Sequence, residues 1–278
     1  MNGSSQQPSV VKITDQEFTE LKNFVYRTYG IDLSKKRQLI EGRLSHTLRS
    51  KGLSSFGQYM KMIQQDASGT EMHQFLNKIT TNHSYFGREN EHFNFLLQTA
   101  LPELERSRHN DLRIWSAGCS AGQEPYNLAM TMDQYFGPRK QLWDTTILAT
   151  DISTNVLSKA KEGIYPSDQL TGLPPQWLSK YFSRLDGKNY QVIPRIRKEV
   201  VFKIFNLMDA FPARKPFDII FCRNVMIYFD AETIARLIDK FYQATAPGGY
   251  LFIGHSETIN RETTKYEYVQ PAIYKKIK

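Results

Sequence analysis

The first part of the chain carries its apolar residues at helical spacing. Between residues 18 and 29 they recur every three or four positions, which places them on one face of a helix. Thr14 and Glu17 have the spacing of a capping box at the start of this helix, and Gly30 is typical of its end. The same periodicity predicts further helices at about 34–50, 55–65 and 70–80. The pattern therefore predicts a small all-helical N-terminal domain.

The second part changes to short apolar runs that alternate with helical stretches. The runs that are typical of strands lie at 112–118, 146–150, 217–222 and 249–254. This alternation favours a mostly parallel sheet with helices on both faces. Two last runs, near 265–270 and 272–277, are too close for a helix between them, so they predict an antiparallel hairpin with Pro271 in its turn. The predicted fold class is α/β, a Rossmann-like domain whose last strands are antiparallel, as in methyltransferases.

Residues 181–205 interrupt this alternation. Alternating residues surround Asp186 and Gly187, which predicts a β-hairpin or small β-subdomain inserted in the α/β domain. The predicted segments are a disordered tail at 1–12, a helical domain at 13–75, a linker at 76–88, and an α/β domain at 89–278 that includes the β-subdomain.

Composition narrows the class of protein. No apolar run approaches the roughly 18 residues that cross a bilayer, and the N-terminus lacks the features of a signal peptide. The two cysteines, Cys119 and Cys222, fit a reducing compartment, so we expect a cytoplasmic protein. The six histidines are scattered without zinc-ligand spacing, and no metal is expected. The net charge of +8 indicates an acidic partner, with ordinary solubility as the alternative.

Two strand ends carry candidate ligand-binding residues. The first strand is followed by the small residues of Ala117–Gly122, which let a backbone pass close to a ligand; an ordinary tight turn is the alternative. The second strand ends in Asp151, where a carboxylate can accept both ribose hydroxyls of an adenosine; the alternative is a helix N-cap. Together the two features favour a nucleoside cofactor.

The fourth strand ends in the segment Cys222–Phe229, which the topology places where a transferred group meets its acceptor. Its arginine, asparagine and tyrosine supply hydrogen-bond donors and a polarisable ring. The structural alternative is that Asn224 caps a turn and Tyr228 fills a hydrophobic gap.

Several motifs resemble those of the CheR family, the chemotaxis-receptor methyltransferases, in order and spacing over nearly the whole chain. The most specific are TTNHSYFGRE (80–89) and CRNVMIYFD (222–230). The others are RIWSAGCSAGQEPY (113–126), ATDIS (149–153) and GYLFIGHSE (249–257). The resemblance implies S-adenosylmethionine as the cofactor, S-adenosylhomocysteine as the product, and transfer of the methyl group to glutamate side chains of chemotaxis receptors for sensory adaptation.

The resemblance also implies roles for individual residues. Arg88 and Tyr228 match the pair nearest the methyl group, and so are the expected catalytic residues. The expected cofactor contacts, which include residues of the linker at 76–88, are Asn82, Ser84, Arg88, Glu124, Asp151, Asn206, Leu207, Arg223 and Asn224. Gly87 stands where the family has an aromatic residue, which predicts a looser loop before Arg88.

The resemblance assigns the basic second helix to receptor docking. Its residues Lys35, Lys36, Arg37 and Arg43 match the surface that contacts the acidic helical bundle of a receptor; a solvated charged face is the alternative. Some relatives hold a receptor tail peptide on the β-subdomain, but the turn at Leu185–Tyr190 is shorter than theirs, so no such tether is expected. We expect a monomer that binds neither nucleic acid nor the membrane interior.

Three competing functions differ in what they require. A nucleic-acid amino-methyltransferase usually carries an Asn/Asp-Pro-Pro-aromatic motif after the fourth strand, whereas this chain has Arg223–Met226 there. A small-molecule methyltransferase would not need the basic helical domain. A non-catalytic cofactor-binding regulator would not need to retain Arg88, Asp151, Asn224 and Tyr228.

Overall fold

The structure is a computed structural model that describes residues 11–80, 84–211 and 215–278. The chain divides into two compact units, Met1–Thr81 and Asn82–Lys278. No helix in these described ranges is long and apolar enough to cross a membrane.

The described residues of the first unit form four helices: α1 (Asp15–Tyr29), α2 (Arg37–Ser50), α3 (Phe56–Gln65) and α4 (Thr70–Ile79). The predicted capping box is present, because the Thr14 side chain accepts from the Glu17 N–H while the Glu17 carboxylate accepts from the Thr14 N–H. Gly30 closes α1 in the left-handed conformation. Leu21 and Leu44 are among the buried residues of this unit's own core.

Most of residues 1–12, which the sequence predicts to be a disordered tail, lie outside the described residues. Of its two described members, Val11 accepts a hydrogen bond through its carbonyl from Ser45 of α2 (3.3 Å), and Lys12 pairs with Glu41 (3.6 Å). These two residues therefore contact the helical unit.

The second unit is built on a seven-stranded sheet. Its helices are α5 (Asn90–Phe95), α6 (Leu101–Ser107), α7 (Gln123–Phe136), α8 (Thr154–Glu162), α9 (Pro175–Tyr181), α10 (Pro194–Arg197) and α11 (Ala231–Ala244). Its strands are β1 (Ile114–Ala117), β2 (Ile147–Asp151), β3 (Ile164–Pro166), β4 (Phe182–Arg184), β5 (Asn189–Val192), β6 (Val200–Ile204), β7 (Phe217–Cys222), β8 (Thr245–Ile253), β9 (Glu267–Gln270) and β10 (Ile273–Lys275).

The order of strands in the main sheet is β6-β2-β1-β7-β8-β10-β9. The first five strands are parallel to one another, and β10 is antiparallel to both β8 and β9. Pro271 lies in the turn between β9 and β10. The prediction of a Rossmann-like sheet with antiparallel last strands is therefore confirmed.

Helices cover both faces of this sheet, which explains why its strands are almost continuously apolar. Successive residues of β1 point to opposite faces. Ile114 belongs to a hydrophobic cluster with Leu128 of α7, whereas Trp115 belongs to a second cluster and packs on Phe241 of α11 (5.5 Å between ring centroids).

The β-subdomain differs at both ends from the predicted range of 181–205. It is a three-stranded antiparallel sheet of order β3-β5-β4. Its strand β3, Ile164–Pro166, precedes the predicted range in the sequence. Val200–Ile204 instead pairs in parallel with β2 as the edge strand of the main sheet. Local alternation identifies a strand but not its partner, because strand pairing joins residues that are distant in sequence.

Candidate active site

Three strand ends meet at one edge of the main sheet. β1 lies between β2 and β7 and is parallel to both, so Ala117, Asp151 and Cys222 reach the same side. The end of β6 joins them, because the N–H of Phe205 donates to the carbonyl of Asp151 (3.1 Å). We call this side the carboxyl edge, and it is where open α/β sheets bind ligands.

The loop after β1 approaches other protein segments closely. Gly118 and Gly122 have φ angles of 82° and 92°, and Ser120 between them also has a positive φ of 50°. A Cβ added to Gly118 would lie 2.3 Å from a methyl carbon of Val225, and one on Gly122 would lie 2.8 Å from the Cβ of Ala160. Packing and backbone conformation therefore require glycine at both positions, independently of ligand binding.

Asp151 is buried at the end of β2. Its Oδ2 accepts from the backbone N–H of Ser120 (2.8 Å) and its Oδ1 from that of Ser153 (2.9 Å). Burial raises the pKa of this carboxyl, although the backbone hydrogen bonds oppose the rise. The N-cap alternative for Asp151 is wrong, because the cap of α8 is Ser153, whose hydroxyl accepts from the Val156 N–H (3.4 Å).

Arg223 lies between two carboxylates at the carboxyl edge, with its side chain only 3% exposed. Its Nη1 is 3.3 Å from Glu124 Oε2, its Nε is 3.2 Å from Glu89 Oε2, and its Nη2 donates to the carbonyl of Arg88. Glu124, in the first turn of α7, also accepts from the Ser116 hydroxyl (2.7 Å). The end of β7 is thus tied by charge to the loop that carries Arg88.

The carboxylates beside Arg223 respond differently to their surroundings. Burial raises the pKa of Glu124, and the nearby charges of Arg223 and Arg88 only partly oppose it. Burial also acts to raise the pKa of Glu89, but attraction to Arg223 and hydrogen bonds outweigh it, so the net shift is downward. Glu89 is therefore the more readily ionised of the two.

The segment after β7, residues 223–228, is called the post-β7 segment below. Asn224 has a left-handed φ of 58°, and its side-chain amide approaches Glu89 Oε1 (3.4 Å). Glu257 accepts hydrogen bonds from the N–H groups of Asn224 (3.0 Å) and Met226 (2.7 Å). Tyr228 ends a short 3-10 turn, Met226–Tyr228, and is half-buried.

Gly87 does not loosen the loop before Arg88, contrary to the sequence-based expectation. Its φ is 73°, and an added Cβ would lie 2.3 Å from the carbonyl oxygen of Gly172. The N–H of Phe86 donates to the Gln169 carbonyl (3.1 Å), and the Phe86 ring packs on Tyr165 (4.9 Å between centroids). An aromatic residue could not occupy position 87 in this backbone conformation, so glycine permits tight packing here.

The remaining predicted cofactor contacts lie in different surroundings. Asn82 falls outside the described residues, and Ser84 is half-buried. Asn206 and Leu207 follow β6 after one residue, Phe205. Asn206 Oδ1 accepts from the Met208 N–H (3.1 Å), and the Leu207 carbonyl accepts from Lys240 of α11 (2.8 Å). Leu207 is buried with the hydrophobic cluster that contains Trp115.

The predicted receptor-binding residues of the first unit fall into two pairs. Lys35 and Lys36 are exposed immediately before α2. Arg37 instead pairs with Asp15 and donates to the carbonyl of Ile13. Arg43 donates to three carbonyls at the end of α4: Lys78 (3.2 Å), Ile79 (3.4 Å) and Thr80 (3.1 Å). The two arginines therefore stabilise their own unit.

Sequence reasoning assigned no role to Glu89 and Glu257, although they are the last residues of the motifs at 80–89 and 249–257. One further cluster involves Glu89: its carboxylate, His92 and His255 place potential metal-ligand atoms within 4.8 Å of one another. His92 is fully buried, neither ring nitrogen has a hydrogen-bond partner within the described part of the chain, and burial lowers its pKa to about 3. Because Arg223 and Asn224 already bind Glu89, a metal ion there would have to displace them.

Comparison with known proteins agrees with this geometry. The family model described as "CheR methyltransferase, SAM binding domain" matches residues 82–274, and "CheR methyltransferase, all-alpha domain" matches residues 16–80. The chemotaxis protein methyltransferase of Borreliella burgdorferi is 45% identical over 272 residues, which cover 96% of each chain. That of Salmonella typhimurium is 37% identical over 268 residues, which cover 94% of this chain and 90% of the relative. These matches confirm the resemblance, the domain types and S-adenosylmethionine as the cofactor.

The carboxyl edge fits such a cofactor on its own chemistry. The Asp151 carboxylate is buried and has no ion-pair partner in the described ranges, and it can accept from a hydroxyl group in addition to its backbone donors. The nearby Ser120 hydroxyl is also buried, and no described residue supplies a hydrogen bond to it. Two half-buried acids, Glu89 and Glu124, can face the positive charges of adenosylmethionine.

Proposed function

Because the chain belongs to the CheR family of S-adenosylmethionine-dependent chemotaxis methyltransferases, we propose that it methylates glutamate side chains of chemotaxis receptors. The products are glutamate methyl esters and S-adenosylhomocysteine, and the reaction serves sensory adaptation. The observation that carries the proposal is the convergence of Glu124, Asp151 and Arg223 at the carboxyl edge, on the domain type that binds this cofactor.

We assign the cofactor to this edge by residue. Asp151 accepts the ribose hydroxyls, and Glu124 and Arg223 form a buried charged wall beside it. The other assigned contacts are Asn82, Ser84, Arg88, Asn206, Leu207 and Asn224. The support for Asn206 is its place close after β6, whose end pairs with the end of β2 that carries Asp151.

The cofactor supplies an electrophilic methyl group on a sulfonium, so the protein has to orient the acceptor and exclude water. A glutamate has a pKa of about 4.3 and is already ionised at pH 7, so no general base is needed. Orientation alone can contribute on the order of 7–11 kcal/mol. Arg88 is assigned to hold a carboxylate of cofactor or substrate, and Tyr228 to position the acceptor.

The cysteines are unsuited to act as nucleophiles. Cys119 and Cys222 are both buried, and burial raises the pKa of each thiol well above its ordinary value. Direct transfer from cofactor to acceptor, without an enzyme-bound methyl intermediate, is the mechanism that these residues support.

The proposed acceptor is the acidic helical bundle of a receptor. Lys35 and Lys36 are the exposed cations of the group assigned to it, and they supply a positive surface that the bundle complements. We further propose that the protein acts in the cytoplasm as a monomer.

Labelled adenosylmethionine tests the proposal directly. The protein is incubated with tritiated cofactor and either receptor-containing membranes, receptor-free membranes or nucleic acid. We expect label only with the receptor membranes, released as volatile methanol by mild base, as a carboxyl ester requires. Base-stable label, or label on nucleic acid, would contradict the proposed acceptor.

A further inference from the structure

Glu257 lies four residues beyond the end of β8 and bonds to the backbone of two segments. Its Oε2 accepts from the N–H groups of Gly254 (2.6 Å) and Asn224 (3.0 Å), and its Oε1 accepts from that of Met226 (2.7 Å). The residue is 8% exposed, and no cation pairs with it among the residues that the structure describes. The carboxylate thus joins the end of β8 to the post-β7 segment.

The post-β7 segment depends on such support. Asn224 has a φ of 58°, a left-handed conformation that residues other than glycine adopt infrequently. The N–H groups of Asn224 itself and of Met226 donate to Glu257, and these two hydrogen bonds hold the turn. The same turn directs the Arg223 side chain to Glu124 and leads directly to Tyr228.

Gly254 gives independent evidence that the contact is close. A Cβ at this position would lie 2.5 Å from the side-chain nitrogen of Asn224, 2.9 Å from its backbone nitrogen and 2.9 Å from Glu257 Oε2. The φ of Gly254 is not positive, so the absence of a side chain serves proximity rather than backbone conformation.

We propose that Glu257 is a positioning residue for methyl transfer, which fixes the backbone of residues 224–226 so that Asn224 faces the cofactor and Tyr228 faces the acceptor. The inference rests on the proposed roles of those two residues. A carboxylate is required because it only accepts hydrogen bonds. A glutamine would turn an amide N–H₂ toward at least one backbone N–H, whichever way it was oriented.

The test uses the full-length protein and three variants at this contact: Glu257→Gln, Glu257→Asp and Gly254→Ala. Binding of S-adenosylhomocysteine is measured by calorimetry, the thermal midpoint by circular dichroism, and methyl transfer with receptor-containing membranes. We expect Glu257→Gln and Gly254→Ala to weaken binding by about tenfold or more and to lower kcat about 10²-fold. Glu257→Asp keeps the charge and should be intermediate.

Glu103→Gln is the matched control. Glu103 accepts from Tyr250 of β8 and pairs with Lys275 of β10 (2.6 Å), so it also supports the sheet, but through side chains of other residues. The Glu103→Gln variant should have a lower thermal midpoint and an unchanged Kd for S-adenosylhomocysteine. A Glu257→Gln variant with the same loss of midpoint and a Kd within about twofold of wild type would overturn the proposal. If that variant does not fold, Gly254→Ala and Glu257→Asp are judged by the same criterion.

The binding measurement needs no acceptor. It therefore separates this inference from the proposed function, because receptor glutamates could prove not to be methylated while Glu257 still controlled cofactor affinity.

Discussion

The two units of the chain use charged residues in different ways. In the first unit, Arg37 is 40% exposed at the side chain and pairs with the almost fully exposed Asp15, while Arg43 caps the end of α4. In the second unit, Arg223 is 3% exposed and pairs with the nearly buried Glu89 and Glu124. A partly exposed pair can be lost at small cost, whereas charges removed from water must be satisfied completely.

This difference indicates where function lies. Burying Glu124, Asp151 and Glu257 opposes their ionisation, since burial raises the pKa of all three. Apolar residues of similar size would serve the core better, so a concentration of such groups at one sheet edge is typical of a site. Arg37 and Arg43 of the first unit permit a purely structural account, whereas Lys35 and Lys36 are exposed to solvent.

The largest expected effect comes from Arg223→Met. The change leaves the largely buried carboxylates of Glu89 and Glu124 without their common cation, so we expect a loss of about 3–5 kcal/mol in the free energy of unfolding. Arg139→Met is the control, because Arg139 is 55% exposed and its pair with Glu105 should contribute about 0–1 kcal/mol. Urea unfolding followed by tryptophan fluorescence reports on the second unit, which holds all three tryptophans. Equal losses in the two variants would remove the basis of the comparison.

Arg88→Ala should abolish turnover rather than folding. Its assigned role is to hold a carboxylate near the methyl group, and misplacement of a reacting group can lower the rate about 10²-fold. Arg184→Ala removes an exposed arginine of the three-stranded sheet and should leave kcat/KM unchanged. Methyl transfer with receptor membranes is the measurement. Near-normal turnover by Arg88→Ala would reject the catalytic assignment.

The sequence predicted the elements of the carboxyl edge better than the contacts within it. Asp151 was identifiable because it stands at the end of a strand, whereas Glu124 was identified only through the resemblance of its motif to the CheR family. Glu89 and Glu257 were not identified, because they bond to residues 134 and 33 positions away. Such pairings depend on strand order and on side-chain direction, which hydrophobic periodicity does not contain.

Two local features were also beyond sequence reasoning. The sequence of the strand at Val200–Ile204 is compatible with either the small sheet or the main sheet. Its pairing with β2 in the folded structure shows that it belongs to the main sheet. A glycine at position 87, considered alone, predicts a conformationally freer loop before Arg88. The backbone of Gly172 turns it into a requirement, because no side chain would fit the space between them.

Asp151 of the second unit and Glu17 of the first unit should respond to pH in opposite directions. Burial raises the pKa of Asp151 above its ordinary value of 3.8, so its contribution to stability improves as pH falls toward 3.8. Burial also acts to raise the pKa of Glu17, but hydrogen bonds from Thr14 and Gly57 outweigh it and lower the pKa. The contribution of Glu17 is therefore complete above about pH 4.5 and is lost as pH falls through its folded pKa.

The variants Asp151→Asn and Glu17→Gln separate these effects. The difference in unfolding free energy between wild type and each variant is measured at pH 7 and pH 4, by hydrogen exchange in urea for each unit. On acidification from pH 7 to pH 4, the unfolding free energy of wild type relative to Asp151→Asn should increase. The unfolding free energy of wild type relative to Glu17→Gln should decrease. Shifts of the same sign would mean that Asp151 and Glu17 are not in contrasting environments.

The smallest effect should come from Lys36→Glu. Lys36 is exposed at the N-cap of α2, whose first turn has no acidic residue, so a glutamate there should change stability by less than about 1 kcal/mol and favourably through the helix dipole. Receptor methylation should nevertheless fall about several-fold at low salt, and the deficit should shrink as salt screens the charge. Arg43→Glu is the contrasting variant, because it also removes the hydrogen bonds at the end of α4 and should destabilise the first unit. A Lys36→Glu protein that methylates receptors normally at low salt would show that the exposed lysines are a solvated surface, and the first unit would then need another explanation.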